Sequence, residues 1–153
     1  MELKIKRTNS QDNDFIALVK ELDAYLAITD GDDHAFYDQY NKLNKIKHVL
    51  VVYDDNNAVG CGSIKAFDDK TVEIKRMYLK PEKRGGGIAD TIILELEKWA
   101  RELHYERCIL ETGERQVEAV QFYHKSGYTR AKNYGQYAGV ENSLCFEKQL
   151  NEV

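Results

Sequence analysis

A chain of 153 residues defaults to one domain, residues 1–153, large enough to bury about two-thirds of its unfolded surface. With 42% hydrophobic residues, 31% charged residues and a formal charge of −4, it lacks the basic footprint of a nucleic-acid binder. No apolar run approaches the roughly 20 residues that span a bilayer, so the sequence predicts no membrane partner.

Residues 2–7 alternate polar and apolar, as a half-buried strand does. Phe15, Val19, Leu22 and Leu26 then recur at helical spacing, with Asp12 or Asn13 as the cap and an end near Asp30 and Gly31. A weaker helical stretch over 33–46 carries Phe36, Tyr37, Tyr40 and Leu43. Residues 48–53 read as a buried strand, 54–57 as a turn, and 58–67 as the returning strand, with Gly60 and Gly62 marking a close backbone approach. Residues 71–79 alternate again, with Val72, Ile74, Arg76 and Tyr78 on one side and Glu73, Lys75, Met77 and Leu79 on the other. Ile88, Ile92, Leu96, Trp99 with Ala100, and Leu103 mark one face of a long helix, and Glu95, Glu97, Lys98, Arg101 and Glu102 the other. A short strand over 107–111, a short helix over 118–125 and a strand pair at 128–131 and 143–150 follow. The order is β-α-α-β-β-β-α-β-α-β-β, an α/β (mixed α+β) fold around a mixed sheet of about seven strands. The helix between the fourth and fifth strands calls for a parallel crossover.

The chemistry gathers where the strand ending at Leu79 meets the long helix. Lys75, Arg76, Lys80, Lys83 and Arg84 make a basic island in an acidic chain, followed by Gly85, Gly86 and Gly87. Unpaired amides at a helix start carry partial positive charge, so this turn suits a phosphate-bearing ligand. It is not a P-loop, because no Lys-Ser or Lys-Thr pair follows the glycines. It is not the dinucleotide GxGxxG either, because the last position is Asp90 and antiparallel strands come first. Three widely spaced cysteines, Cys61, Cys108 and Cys145, and the absence of metal-ligand spacing among His34, His48, His104 and His124 predict reduced thiols, no metal and a cytoplasmic setting. The N-terminal residues carry no apolar signal region.

Arg84 to Ala89 matches Arg/Gln-x-x-Gly-x-Gly/Ala, the acetyl-CoA pyrophosphate loop of the GNAT superfamily of N-acetyltransferases. The Met77-to-Pro81 segment upstream and the Ala119-to-Tyr128 segment downstream also resemble that family, as does the element order, so the resemblance covers nearly the whole chain. Two positions depart from it: Gly86 stands where a basic residue is frequent, and Gln116 where Asn is frequent. The resemblance implies acetyl-CoA as co-substrate. It places the pyrophosphate on the amides of Gly85, Gly86, Gly87, Ile88 and Ala89, and the pantetheine along Met77, Tyr78 and Leu79. Arg84, Gln116, Ala119, Phe122 and Lys125 complete the expected cofactor set.

Moving an acetyl group from a thioester to an amine requires three things. The amine, with a pKa near ~10, must lose a proton, the oxyanion needs donors, and the thiolate, near ~8.5, benefits from an acid. Glu73 is the expected base, with Glu111 competing. Tyr123 is the acid that the resemblance implies. The amide of Met77 or Tyr78 is the expected oxyanion donor if a bulge frees one. The leading expectation is direct transfer to a primary amine of a small molecule. Alternatives are a peptide or protein N-terminal or lysine acetyltransferase, and a non-catalytic acyl-CoA-binding module. A homodimer is admitted but not required. For the acceptor pocket the sequence offers Tyr25, Asp30, Asp32, Asp33, His34, Tyr37, Tyr40, Tyr134 and Tyr137, acidic and aromatic groups that suit a cation.

Overall fold

The computed structural model describes residues 2–30 and 46–150. Its strands are β1 (Leu3–Thr8), β2 (His48–Asp54), β3 (Asn57–Ala66), β4 (Thr71–Leu79), β5 (Arg107–Gly113), β6 (Thr129–Ala131) and β7 (Ser143–Gln149). Its helices are α1 (Asn13–Asp30), α2 (Ile88–Glu102) and α3 (Val117–Lys125). The strands form one sheet in the order β1-β2-β3-β4-β5-β7-β6. The expected helix over 33–46 lies almost wholly outside the described residues, as do Asp32, Asp33, His34, Tyr37 and Tyr40.

Local chemistry sets the element ends. The Asp12 carboxylate accepts the amides of Asp14 and Phe15 at 2.9 and 3.1 Å, capping α1. Asp55 and Asn56 take positive φ (49° and 72°), as a two-residue hairpin turn needs, and join β2 to β3. β2 is buried on both faces: Val49 and Val51 meet Phe15, Leu18 and Leu22 of α1, whereas Leu50 and Val52 meet Ile92 and Leu96 of α2. Gly60 and Gly62 keep α2 close. A Cβ on Gly62 would stand 2.7 Å from the Met77 sulfur and 2.8 Å from Leu96.

Two features of the sequence reading are corrected. Glu97 does not lie on the solvent face of α2. It is 1% exposed, accepts the Tyr128 hydroxyl at 2.9 Å and pairs with Lys148 at 3.0 Å. Lys148 also donates to the Ser126 carbonyl at 2.9 Å, so this cluster ties α2, β7 and the end of α3 together. The second correction concerns β4, whose alternation breaks in the middle. Ser63 pairs with Lys75 and Cys61 with Tyr78, so Arg76 and Met77 both stand opposite Gly62. Arg76 carries the extra turn at φ 60°. This is a β-bulge, and the left-handed conformation of a non-glycine residue costs about 1–2 kcal/mol. The bulge moves Met77 and Leu79 to the α2 face with Val72 and Ile74, and places Arg76 and Tyr78 on the α1 face with Glu73 and Lys75. Side chains of β3 brace it. Ser63 Oγ donates to the Lys75 carbonyl at 2.6 Å, and Cys61 Sγ to the Arg76 carbonyl at 3.3 Å.

Candidate active site

β4 and β5 run parallel but pair only from Thr71–Glu73 against Arg107–Ile109. Beyond Glu73 the strands part, while β5 continues its antiparallel ladder with β7 to Gly113. The part of β4 that follows therefore has one edge facing a gap instead of a strand. An unpaired strand edge can hydrogen-bond an extended ligand as an added strand would.

A groove of about 390 Å³ runs from this gap to the glycine loop. Its walls include Met77, Tyr78, Leu79, Arg84, Gly85 and Gly87 on one side, and Gln116, Ala119, Phe122, Tyr123 and Lys125 on the other. A 3-10 turn over Pro81–Lys83 leads into the loop. Gly85 and Gly87 take φ 86° and 88°, which glycine adopts without strain. Gly87 is the N-cap of α2 and provides no side-chain cap, so the first amides of this 15-residue helix remain available. A Cβ built on Gly85, Gly86 or Gly87 meets nothing within 4 Å. The protein's own packing thus leaves the space over the loop open, which fits a pyrophosphate drawn close to the backbone. Ile88 can contribute only its backbone, because its side chain is 1% exposed in the core, and Gly86 is not among the groove's walls. Arg84 donates from Nε to the Leu79 carbonyl at 3.0 Å, and its guanidinium lies 6.0 and 5.9 Å from the Tyr25 and Tyr78 rings. It braces the strand end while lining the groove.

On the α1 side of the gap lies a second cavity of about 120 Å³. Glu73, Lys75, Arg76 and Glu111 line it, with Leu22 and Leu26 of α1 and Tyr137. Both carboxylates that compete for the role of base therefore open into one space. Glu73 is 8% exposed; its Oε2 accepts the Tyr134 hydroxyl at 2.7 Å and its Oε1 lies 3.9 Å from Lys75 Nζ. Burial pushes the Lys75 ammonium down from its usual range, against the opposing pull of Glu73. Burial, reinforced by Glu73, raises the Tyr134 phenol, and burial with Glu111 and Glu73 raises Tyr137. Tyr25 lines the donor groove instead of this cavity.

Met77, Ala119 and Tyr123 are walls of both spaces. Tyr123 is 7% exposed and packs edge-on against Phe122 and Tyr128, with ring centroids 5.2 and 5.9 Å apart. Phe122 stays at the groove while Tyr123 turns inward. Burial alone raises the Tyr123 phenol well above its ordinary range, so it keeps its proton at neutral pH. Sequence reasoning missed the Tyr134–Glu73 bond, because 61 residues separate the partners. Among the described residues no cluster of His, Cys, Asp and Glu is arranged to hold a metal, and no helix is long and apolar enough to cross a membrane.

A sheet that splays open between two parallel strands, beside an uncapped glycine loop, is the arrangement that the family resemblance leads one to expect. Comparison with known proteins gives the same family. The acetyltransferase (GNAT) family model matches residues 15–128, and the chain belongs to that family. It is an acetyl-CoA-dependent N-acyltransferase of that family. The IAA acetyltransferase of Azospirillum brasilense is 30% identical over 149 residues, covering 95% of this chain and 97% of that one. A crystal structure of a putative acyl-CoA N-acyltransferase from Klebsiella pneumoniae superposes with a TM-score of 0.82 at 27% identity, over 97% of this chain and 98% of that one. YncA from Salmonella typhimurium, a putative acetyltransferase solved with its cofactor acetyl-CoA, shares the fold at a TM-score of 0.68 and 16% identity, over 100% of this chain and 96% of that one.

Proposed function

We propose that this protein transfers the acetyl group of acetyl-CoA directly to a primary amine of a small molecule. The observation that carries the proposal is the meeting of two spaces at Met77 and Tyr123. One is a groove suited to an extended phosphate-bearing chain. The other is a compact polar cavity that contains carboxylates.

Acetyl-CoA supplies an activated acyl group on a sulfur. The chain's own residues supply the rest. The amides of Gly85–Ala89 hold the pyrophosphate, and the free edge of β4 receives the pantetheine. Glu73 reaches the gap from the α1 face, and its Oε1 accepts the proton that the ammonium must lose. The Tyr134 hydroxyl occupies Oε2 and fixes the carboxylate's orientation. Tyr123 reaches the gap from α3 on the opposite face and donates its phenolic proton to the departing sulfur. In this reading the Met77 amide, which the bulge takes out of register with β3, receives the developing oxyanion, whereas the Tyr78 amide is turned toward Cys61. The burial of Glu73 and Tyr123 excludes water that would compete for the acyl group.

Two experiments test this reading in sequence. Isothermal titration should show acetyl-CoA binding, and no heat at millimolar cofactor would remove the cofactor assignment. A thiol-release screen across amines, amino acids, polyamines and peptides should then find turnover. Turnover confined to peptides would replace the small-molecule acceptor with a peptide one. Binding with no turnover would leave a cofactor-binding module.

A further inference from the structure

In a regular strand, neighbouring side chains point to opposite faces. The bulge at Arg76 cancels this and sets two adjacent cations, Lys75 and Arg76, on the same face as Glu73. All three line the acceptor cavity with Glu111. A site built only to attract an amine would need carboxylates without buried cations beside them. Here the Lys75 side chain is 11% exposed and that of Arg76 only 3%. Arg76 Nη1 donates to Asp23 of α1 at 2.7 Å, which holds the guanidinium in place. Among the described residues its buried Nε has no hydrogen-bond partner. A buried guanidinium with an unused donor is costly unless something accepts from it.

We propose that the acetyl acceptor carries a carboxylate as well as its amine, an α-amino acid or a close analogue, with the carboxylate held by Arg76 and Lys75 while the amine faces Glu73. This rests on the acetyl-transfer reading above. Guanidinium and carboxylate match in shape and charge, so the pair fixes the acceptor's orientation in the cavity. The amine of the same molecule then points toward the gap and its carboxylate away from it. A linear polyamine would instead place a second positive charge against Lys75 and Arg76.

The test uses matched pairs that differ only in the carboxylate: alanine and ethylamine, leucine and isopentylamine, phenylalanine and 2-phenylethylamine, with spermidine as a carboxylate-free polycation. The expected result is that each amino acid exceeds its decarboxylated partner at least tenfold in kcat/KM. Arg76→Met and Lys75→Gln should each shrink that ratio by raising KM for the amino acid. Thermal-shift titration with the amino acids, without acetyl-CoA, should show binding to the wild type that Arg76→Met loses. Equal or better turnover of the decarboxylated amines or of spermidine would overturn the carboxylate proposal and leave acetyl transfer standing. Silence on every amine with acetyl-CoA bound would overturn both. The wild-type ratio alone decides if a variant fails to fold.

Discussion

Replacing Tyr123 with Phe removes one oxygen, and its expected effects on stability and activity run in opposite directions. The ring contacts with Phe122, Tyr128 and Phe146, at centroid distances of 5.2, 5.9 and 6.5 Å, all remain. Among the described residues the phenolic hydroxyl makes no hydrogen bond, and the residue is 7% exposed. A buried hydroxyl without a partner costs on the order of 1–3 kcal/mol, toward the lower end where it opens onto a cavity. The variant should therefore be neutral or about 1 kcal/mol more stable, which moves Tm up by at most about 4 °C. Loss of a general acid lowers rates by roughly 10²–10⁴. A thiolate leaving group, with a pKa near ~8.5, needs less help than an alkoxide, so the lower figure applies: kcat falls about 100-fold, or about 2.7 kcal/mol in the barrier. KM for acetyl-CoA should not change. Because burial holds the wild-type phenol protonated well past its ordinary range, the variant should retain the wild-type pH profile below pH ~10. Thiol-release kinetics beside a thermal melt measures both quantities. A kcat within twofold of wild type would refute the role of acid, and a fall in Tm of several degrees would refute the claim that the hydroxyl has no structural partner.

Glu73→Gln keeps the shape and the Tyr134 contact but loses the proton acceptor, so kcat/KM should fall by about 10²-fold or more with unchanged acetyl-CoA affinity; an unaffected rate would transfer the role to Glu111. Gly86 lacks the positive φ of its neighbours and has open space above it, so Gly86→Val should leave Tm in place while raising KM for acetyl-CoA roughly tenfold, a loss of about 1.4 kcal/mol of binding; a normal KM would count against the pyrophosphate loop. Glu97→Ala strips the buried partner from Lys148 and Tyr128 and should cost about 3–5 kcal/mol, a fall in Tm of roughly 10 °C; chemical denaturation showing under 1 kcal/mol would contradict the burial argument. Burial pushes the Cys61 and Cys108 thiols up to about 12. Groups raised in the folded state contribute fully below their unfolded pKa of about 8.5, and this contribution drains away as pH climbs toward 12, by about 1.4 kcal/mol per unit for each thiol. Tm should therefore fall steadily between pH 9 and 11, and a flat profile would exclude the effect.

Among the described residues the order of strands and helices was legible because most elements carry a clean period. Val72 and Ile74 alternate, and Ile88, Ile92 and Leu96 step by four, so pattern alone assigns the type. The glycine loop was legible because backbone conformation constrains it, and Gly85 and Gly87 do take positive φ. The bulge was not. A one-residue insertion leaves the composition of β4 unchanged and reveals itself only in the pairing with β3, where Gly62 faces two residues. From that point on, every residue assigned to a face by strict alternation was assigned to the wrong one. Glu97 was misplaced for a related reason. Its partners Lys148 and Tyr128 come from distant stretches, and a charged residue between apolar ones reads as solvated until they are found. Tyr134, offered for the acceptor pocket, likewise reaches Glu73 across 61 residues by a contact that no local pattern reveals.

The bracing of the bulge has a consequence for how such a protein changes over generations. Ser63 and Cys61 hold the carbonyls of Lys75 and Arg76, and Gly62 leaves room for Met77, yet none of the three is a wall of either cavity. A substitution on β3 therefore can reorient two cations lining the second cavity without replacing any residue of its walls. On the proposed reading, lineages descended from this scaffold can change their preferred amine through a neighbouring strand, while the donor groove stays as inherited.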